Sequence, residues 1–74
     1  MDVKDAAKIA ERYLRDLVED VWNVSLEEVE LTDDEKFWLI TLSYQTDILS
    51  SREFKIFKIK YPTGEVLSMK IRTL

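Results

Sequence analysis

The stretch that decides the fold is Arg52-Glu53-Phe54-Lys55-Ile56-Phe57-Lys58-Ile59-Lys60-Tyr61, where apolar residues recur at a spacing of two. Phe54 and Ile56 hold one frame of that spacing, and Phe57, Ile59 and Tyr61 hold the other. Successive side chains of a β-strand point to opposite faces, so a strand with one dry face keeps a single frame. Two interpretations follow. Either a β-bulge near Ile56 and Phe57 re-aims the chain, or both faces of the sheet carry apolar surface and one of them is meant to be covered.

Short connections join this strand to others on both sides. Tyr61-Pro62-Thr63-Gly64-Glu65 is typical of a hairpin turn, because Pro favours its first corner and Gly its left-handed position. The loop at 46–51 carries Ile48 and Leu49, two apolar residues that a free loop rarely needs. The alternation of apolar residues predicts strands over 28–32, 37–45, 52–61 and 65–73.

An amphipathic helix is predicted ahead of the strands, over residues 3–22. Asp2 is a suitable N-cap, and Asp5 supplies the acid of a capping box. Asn23 tolerates the left-handed conformation that ends many helices. Ser25 and Glu28 predict one further helical turn before the first strand. The apolar stripe of the helix comprises Val3, Ala6, Ala7, Ala10, Tyr13, Leu14, Leu17, Val18 and Val21.

This order of elements indicates an α+β fold over residues 1–74, with one N-terminal helix packed on a four-stranded antiparallel meander sheet. Seventy-four residues leave no room for a second domain. A single helix covers only one face of the sheet. The side chains expected on the covered face are Trp38, Ile40, Leu42, Tyr44, Phe57, Ile59, Tyr61, Leu67, Met69 and Ile71.

The composition argues against several classes of function. The chain has no Cys and no His, which removes thiol nucleophiles, Ser–His pairs and the usual ligands of zinc, copper and haem. We therefore expect no enzymatic activity, no cofactor and no metal site. The net charge of −4 argues against nucleic acid as a partner. No apolar run is long enough to span a membrane, and the first ten residues include charged side chains, unlike a signal sequence. We therefore expect a cytoplasmic protein without a membrane partner.

Three stretches carry a resemblance to a known family: Ala6-Ala7-Lys8-Ile9-Ala10, Trp38-Leu39-Ile40 and the turn Thr63-Gly64-Glu65-Val66. Together they resemble the PepSY-type modules, which combine a helix with an antiparallel sheet. The layout is also similar to that of small immunity proteins that neutralise toxins. The resemblance implies a non-catalytic module that binds or restrains another protein. This chain departs from the PepSY pattern because it lacks the acidic residue before the turn and an export signal.

The face of the sheet away from the helix is the best candidate for a binding surface. The predicted pairing of the second and third strands gathers apolar side chains there within a rim of Lys and Glu, as in many protein interfaces. We expect this face to bind either a second copy or a different protein. Two structural alternatives remain open: a bulge turns Phe54 and Ile56 inward, or Ile48 and Leu49 fold over them. The candidate interface residues are Phe37, Leu39, Phe54, Ile56 and Val66.

A second hypothesis is a basic patch on the last two strands that binds nucleic acid or another anionic ligand. Its residues are Lys58, Lys60, Lys70 and Arg72. Single-stranded nucleic acid requires aromatic side chains among the cations for stacking. Only Phe37 and Phe54 qualify, and Glu28 and Glu30 point to the same face. Salt separates the two hypotheses, because charge-driven binding weakens steeply with ionic strength.

Overall fold

The computed structural model describes residues 1–72 of the chain. A helix is followed by an antiparallel sheet of four strands in the order β1-β2-β3-β4. The predicted α+β fold, with one N-terminal helix on a four-stranded meander, is confirmed. Thr73, the predicted end of the last strand, lies outside the described residues. The elements are α1 (Val3–Leu17), β1 (Trp22–Leu31), β2 (Phe37–Gln45), β3 (Glu53–Lys60) and β4 (Val66–Ile71).

Helix α1 begins at the predicted capping box. The backbone N–H of Asp5 donates to Asp2 Oδ1 at 2.9 Å, and the N–H of Asp2 donates to Asp5 Oδ2 at 3.3 Å. These bonds satisfy two N–H groups that have no partner within the helix. Ala6, Ala10 and Leu14 recur every four residues and are fully buried. The small alanines let the first turns of α1 approach the sheet closely. Within residues 1–72, no helical segment is long and apolar enough to cross a membrane.

The predicted end of the helix at residue 22 is wrong. Helix α1 ends at Leu17, Val18 is extended with φ −117° and ψ 124°, and Asp20 has a positive φ of 58°. Val18 and Val21 continue the helical spacing, but β-branched residues favour extended backbone. They reach the core from the turn between α1 and β1 instead, and both are partly buried against it.

The first strand is correspondingly longer than predicted, because Trp22–Leu31 is all strand. Ser25 therefore lies in β1 and starts no helical turn. Asn23 does take the left-handed conformation, with φ 55°, but it does so inside β1. The pairing of β1 with β2 shifts register there, between Trp22 and Ser25, and again between Leu26 and Glu28. Both irregularities are sites where an extra residue enters the strand.

The core lies between α1 and one face of the sheet, which we call the inner face. Tyr13 on α1 meets Phe57 edge to face, with ring centroids 6.3 Å apart and an interplanar angle of 85°. At one end of the sheet, the rings of Trp38 and Tyr61 lie 6.0 Å apart. The predicted inner-face residues that are buried in this core are Ile40, Leu42, Tyr44, Phe57 and Ile59, and Met69 packs against them.

Three assignments in β4 are wrong. Lys58 pairs with Ser68, but the next residue of β3, Ile59, pairs with Val66, so Leu67 is an extra residue in β4. This bulge turns Val66 toward the core, where it packs against the buried residues, and leaves Leu67 47% exposed. Ile71, which was also expected to be covered, is exposed. The predicted turn before β4 is confirmed by the positive φ of Gly64, 80°.

Candidate protein-binding face of the sheet

The apolar frames of β3 point to opposite faces, because β3 is a regular strand. Its pairing with β2 is unbroken, from Phe37 opposite Lys60 at one end to Tyr44 opposite Glu53 at the other. There is thus no bulge at Ile56 and Phe57, and both faces of the sheet carry apolar side chains. Phe57 and Ile59 lie on the inner face, and Phe54 and Ile56 lie on the opposite one. We call that opposite side the outer face.

The outer face consists of residues brought into line across the four strands. One row across the sheet is Glu30, Leu39, Lys58 and Ser68. The next row is Glu28, Thr41, Ile56 and Lys70. Each row therefore begins with an acid on β1 and carries a lysine on β3 or β4. Phe37 lies opposite Lys60 on one side of these rows, and Ser43 lies opposite Phe54 on the other.

Four of the five candidate interface residues lie on this face. Phe37, Leu39, Phe54 and Ile56 are half-buried there. Val66 does not join them, because the bulge at Leu67 turns it to the inner face. Part of the apolar surface is shielded by long cationic side chains. Lys58 Nζ lies 4.3 Å from the centre of the Phe37 ring, a distance at which an ammonium group is attracted to an aromatic face.

Two hydroxyl side chains of β2 are buried on the outer face. Thr41 and Ser43 are only 1% and 0% exposed. Ser43 Oγ donates to Glu27 Oε2 at 2.5 Å and accepts from Arg52 Nε at 2.9 Å. Arg52 Nη2 also donates to the backbone carbonyl of Asn23 at 2.5 Å. One arginine from the start of β3 thus covers Ser43 and holds the first residues of β1.

A second arginine covers Thr41 from the β4 edge of the sheet. The backbone N–H of Arg72 donates to the carbonyl of Phe54 at 3.0 Å, which places Arg72 beside β3. Its Nη1 donates to Thr41 Oγ1 at 3.0 Å and to Glu28 Oε1 at 2.7 Å. Arg72 and Glu28 therefore meet above the central strands and link the β4 edge to the β1 edge. We call Glu27, Glu28, Thr41, Ser43, Arg52 and Arg72 the outer network.

The sequence did not indicate Arg52, Thr41, Ser43 or Glu27 as parts of a site. The sequence does contain a signal for them. Two small polar residues alternate with apolar ones in the middle of β2, and arginines lie next to the ends of β3 and β4. Buried hydroxyl groups require partners, and arginine side chains have the reach to supply them.

The residues of the alternative anion-binding patch are only partly available. Lys58, Lys60 and Lys70 lie on the outer face, with Lys58 over the Phe37 ring. Arg72 is engaged by Glu28 and Thr41. An anionic ligand therefore meets three lysines and has to compete with Glu28 for Arg72.

The loop between β2 and β3 does not cover the outer face. Ile48 and Leu49 are 78% and 91% exposed at its tip, so they do not fold over Phe54 and Ile56. Asp47 fixes the loop by accepting the N–H of Leu49 on Oδ1 at 3.0 Å and the N–H of Ser50 on its carbonyl at 3.1 Å. The tip is an ordered turn that presents two apolar side chains to solvent.

The acidic turn between β1 and β2 is a structural turn. Asp34 Oδ1 accepts from Thr32 Oγ1 at 2.6 Å and from the N–H of Lys36 at 3.0 Å. The hydrogen bond from Thr32, followed by that from Lys36, lowers the pKa of Asp34 below its ordinary value of 3.8. The carboxylate is thus occupied in closing the turn. Among the described residues, no group of three acidic side chains is placed to hold a metal ion.

Comparison of the chain with protein-family profiles, curated proteins and solved structures finds no match. The resemblance to PepSY-type modules and to immunity proteins therefore stays a prediction.

Proposed function

We propose that this chain is a non-enzymatic protein-interaction module and that the outer face is its contact surface. The observation that carries the proposal is that the outer face bears Phe37, Leu39, Phe54 and Ile56, while no helix or strand among residues 1–72 lies over it. Apolar side chains framed by charged ones form the usual composition of a protein interface. A partner that docks there displaces the lysine side chains and covers the apolar ones.

The charges of the outer face favour a protein over a nucleic acid. Glu28 and Glu30 lie in the same rows as Lys70 and Lys58, so both signs are presented together. A polyanion is repelled by the β1 side of such a surface, whereas a protein of mixed charge complements both sides. Binding through Lys58, Lys60, Lys70 and Arg72 stays the alternative proposal.

Phe54→Glu tests the proposed surface. It places a carboxylate among the apolar side chains of the outer face, so it should abolish association while the fold is retained. The matched control is Leu49→Glu, which changes an equally apolar residue at the exposed loop tip and should have no effect. Association is measured by sedimentation velocity for self-association and by capture from the native lysate for other partners, and circular dichroism checks the fold.

If Phe54→Glu unfolds, Ile56→Glu repeats the test two residues along the same face. One result contradicts the proposal. Unchanged association of a folded Phe54→Glu variant places the contact elsewhere. Association that persists in Phe54→Glu but falls steeply with salt supports the alternative basic patch.

A further inference from the structure

We propose that the partner at the outer face is a second copy of this chain, bound outer face to outer face about a two-fold axis parallel to the strands. This inference rests on the proposed function and names its partner. The observation behind it is the sorting of charge across the sheet. The acids of the outer face, Glu27, Glu28 and Glu30, all belong to β1, and its lysines, Lys58, Lys60 and Lys70, all belong to β3 and β4.

A sheet face sorted in this way complements itself in one orientation. When the two-fold axis runs along the strands, β1 of each copy lies over β4 of the other. The row Glu28–Thr41–Ile56–Lys70 then meets the same row reversed. Glu28 faces Lys70 of the partner subunit, Thr41 faces Ile56 of the partner subunit, and symmetry repeats both contacts. Each copy uses the same patch, as an isologous interface requires.

The perpendicular face-to-face orientation is disfavoured by charge. A two-fold axis perpendicular to the strands lays β1 over β1, so Glu28 and Glu30 of the two copies oppose each other. Like charges brought together at an interface are costly. The sorted charges therefore select an orientation as well as a partner.

Pairing of the copies through their sheet edges is disfavoured. Edge strand β1 has two register irregularities, and edge strand β4 has the bulge at Leu67. Bulges at edge strands interrupt the regular row of N–H and C=O groups that a second chain requires, and natural proteins use them to prevent edge-to-edge association. The face is consequently a better meeting surface than either edge.

The area of the outer face indicates how stable such a dimer can be. Four strands spaced about 4.8 Å apart, each contributing about six residues of 3.4 Å, give a face of roughly 400 Å² per copy. The pair buries roughly 800 Å², which is below the area of stable specific interfaces and is typical of weak, transient ones. We therefore expect a dimer that forms at high protein concentration and dissociates on dilution.

Reciprocal charge reversal tests the inference. Glu28→Lys with Glu30→Lys makes both sides of the outer face basic, and Lys58→Glu with Lys70→Glu makes both sides acidic. Each double variant should self-associate about tenfold more weakly than the wild type, because attractive exposed pairs become repulsive ones. An equimolar mixture of the two should associate again, since a basic face then meets an acidic one. The Glu28–Arg72 pair is exposed enough that its loss should leave the fold intact.

Matched controls distinguish an effect of charge on the outer face from an effect of the net charge of the protein. The variants shift the net charge from −4 to 0 and to −8 respectively, two reversals of two units each. Asp16→Lys with Glu19→Lys, and Lys4→Glu with Lys8→Glu, make the same shifts at exposed positions away from the sheet and should leave the dimer unchanged. The chain has no Cys, so a dye on Lys4→Cys of one variant reports mixed dimers by fluorescence anisotropy.

The outcomes separate this inference from the proposed function. If the wild-type chain stays monomeric at every concentration, the inference that the partner is a second copy is wrong. The outer face is then tested with other partners. If each double variant weakens the dimer but their equimolar mixture does not associate again, the proposed two-fold arrangement is wrong. A dimer that neither reversals nor Phe54→Glu disturb overturns the inference and the proposed contact surface together.

Discussion

The two faces of this sheet are closed to water by different means. On the inner face, a helix supplies Ala6, Ala10 and Leu14 to cover apolar side chains such as Phe57. On the outer face, Thr41 and Ser43 are buried equally well, but what covers them is the side chains of Arg52 and Arg72. A secondary-structure element covers one face and long side chains cover the other.

The difference bears on which face can bind. Helix α1 is fixed by its backbone hydrogen bonds and by its buried stripe, so removing it means unfolding the protein. The side chains of Arg52 and Arg72 are each held by two hydrogen bonds and that of Lys58 by one aromatic ring, and these side-chain contacts can be exchanged for contacts with a partner. The inner face therefore supplies stability, and the outer face is a surface that association can rearrange.

Paired truncations of two phenylalanines should give the largest contrast between the faces. Phe57→Ala removes a fully buried ring from the inner face and should lower the free energy of unfolding by about 3 to 5 kcal/mol. Phe54→Ala removes the same group from the half-buried outer face and should cost less than about half as much. Urea denaturation followed by circular dichroism measures both.

A domain of this size has only a few kcal/mol of stability, so Phe57→Ala is expected to leave much of the chain unfolded. Phe57→Leu and Phe54→Leu then provide the same comparison with smaller effects. Equal losses at the two positions contradict the distinction between a stabilising inner face and the proposed contact surface.

The fold could be predicted from the sequence because its signals are local. Asp2 and Asp5 mark the start of α1, and the spacing of two from Trp38 to Tyr44 marks β2. The end of α1 could not be found in this way. Val18 and Val21 satisfy the helical spacing, but they pack against the core from a turn that follows the helix, and periodicity alone does not distinguish the two conformations.

The site could be predicted only in part, for a related reason. The β2–β3 register follows from a short loop, so Phe37, Leu39, Phe54 and Ile56 were placed on one face correctly. The bulge at Leu67 has no marker in the sequence, which is why Val66 was misplaced. The outer network depends on where side chains from several strands meet, and this is a property of the assembled sheet.

A smaller effect is expected at Ser43, where the cover of the outer face is anchored. Ser43→Ala removes the acceptor for Arg52 Nε and the donor to Glu27 Oε2. Both partners reach solvent in part, so the loss should be about 1 to 2 kcal/mol of unfolding free energy. Ser68→Ala, on the same face of edge strand β4, is the matched control and should change stability by less than about 0.5 kcal/mol. A neutral Ser43→Ala would show that the outer network closes this face without stabilising the fold.

The smallest predicted effect distinguishes the faces by pH. Burial of Tyr44 on the inner face raises the pKa of its hydroxyl above 10.0, and the negative charge of Glu53 raises it further. Above pH 10.0 the unfolded chain releases this proton while the folded chain keeps it, so the stability that Tyr44 contributes is complete below that pH and is lost as pH rises through the folded pKa. Tyr44→Phe should therefore lose less stability in alkali than the wild type, as measured by urea midpoints from neutral pH upward.

Glu53→Gln should lower the pKa of Tyr44 in a tyrosinate absorbance titration, because it removes the opposing charge. An alkaline loss that is the same with and without Tyr44 would place its origin outside the inner face.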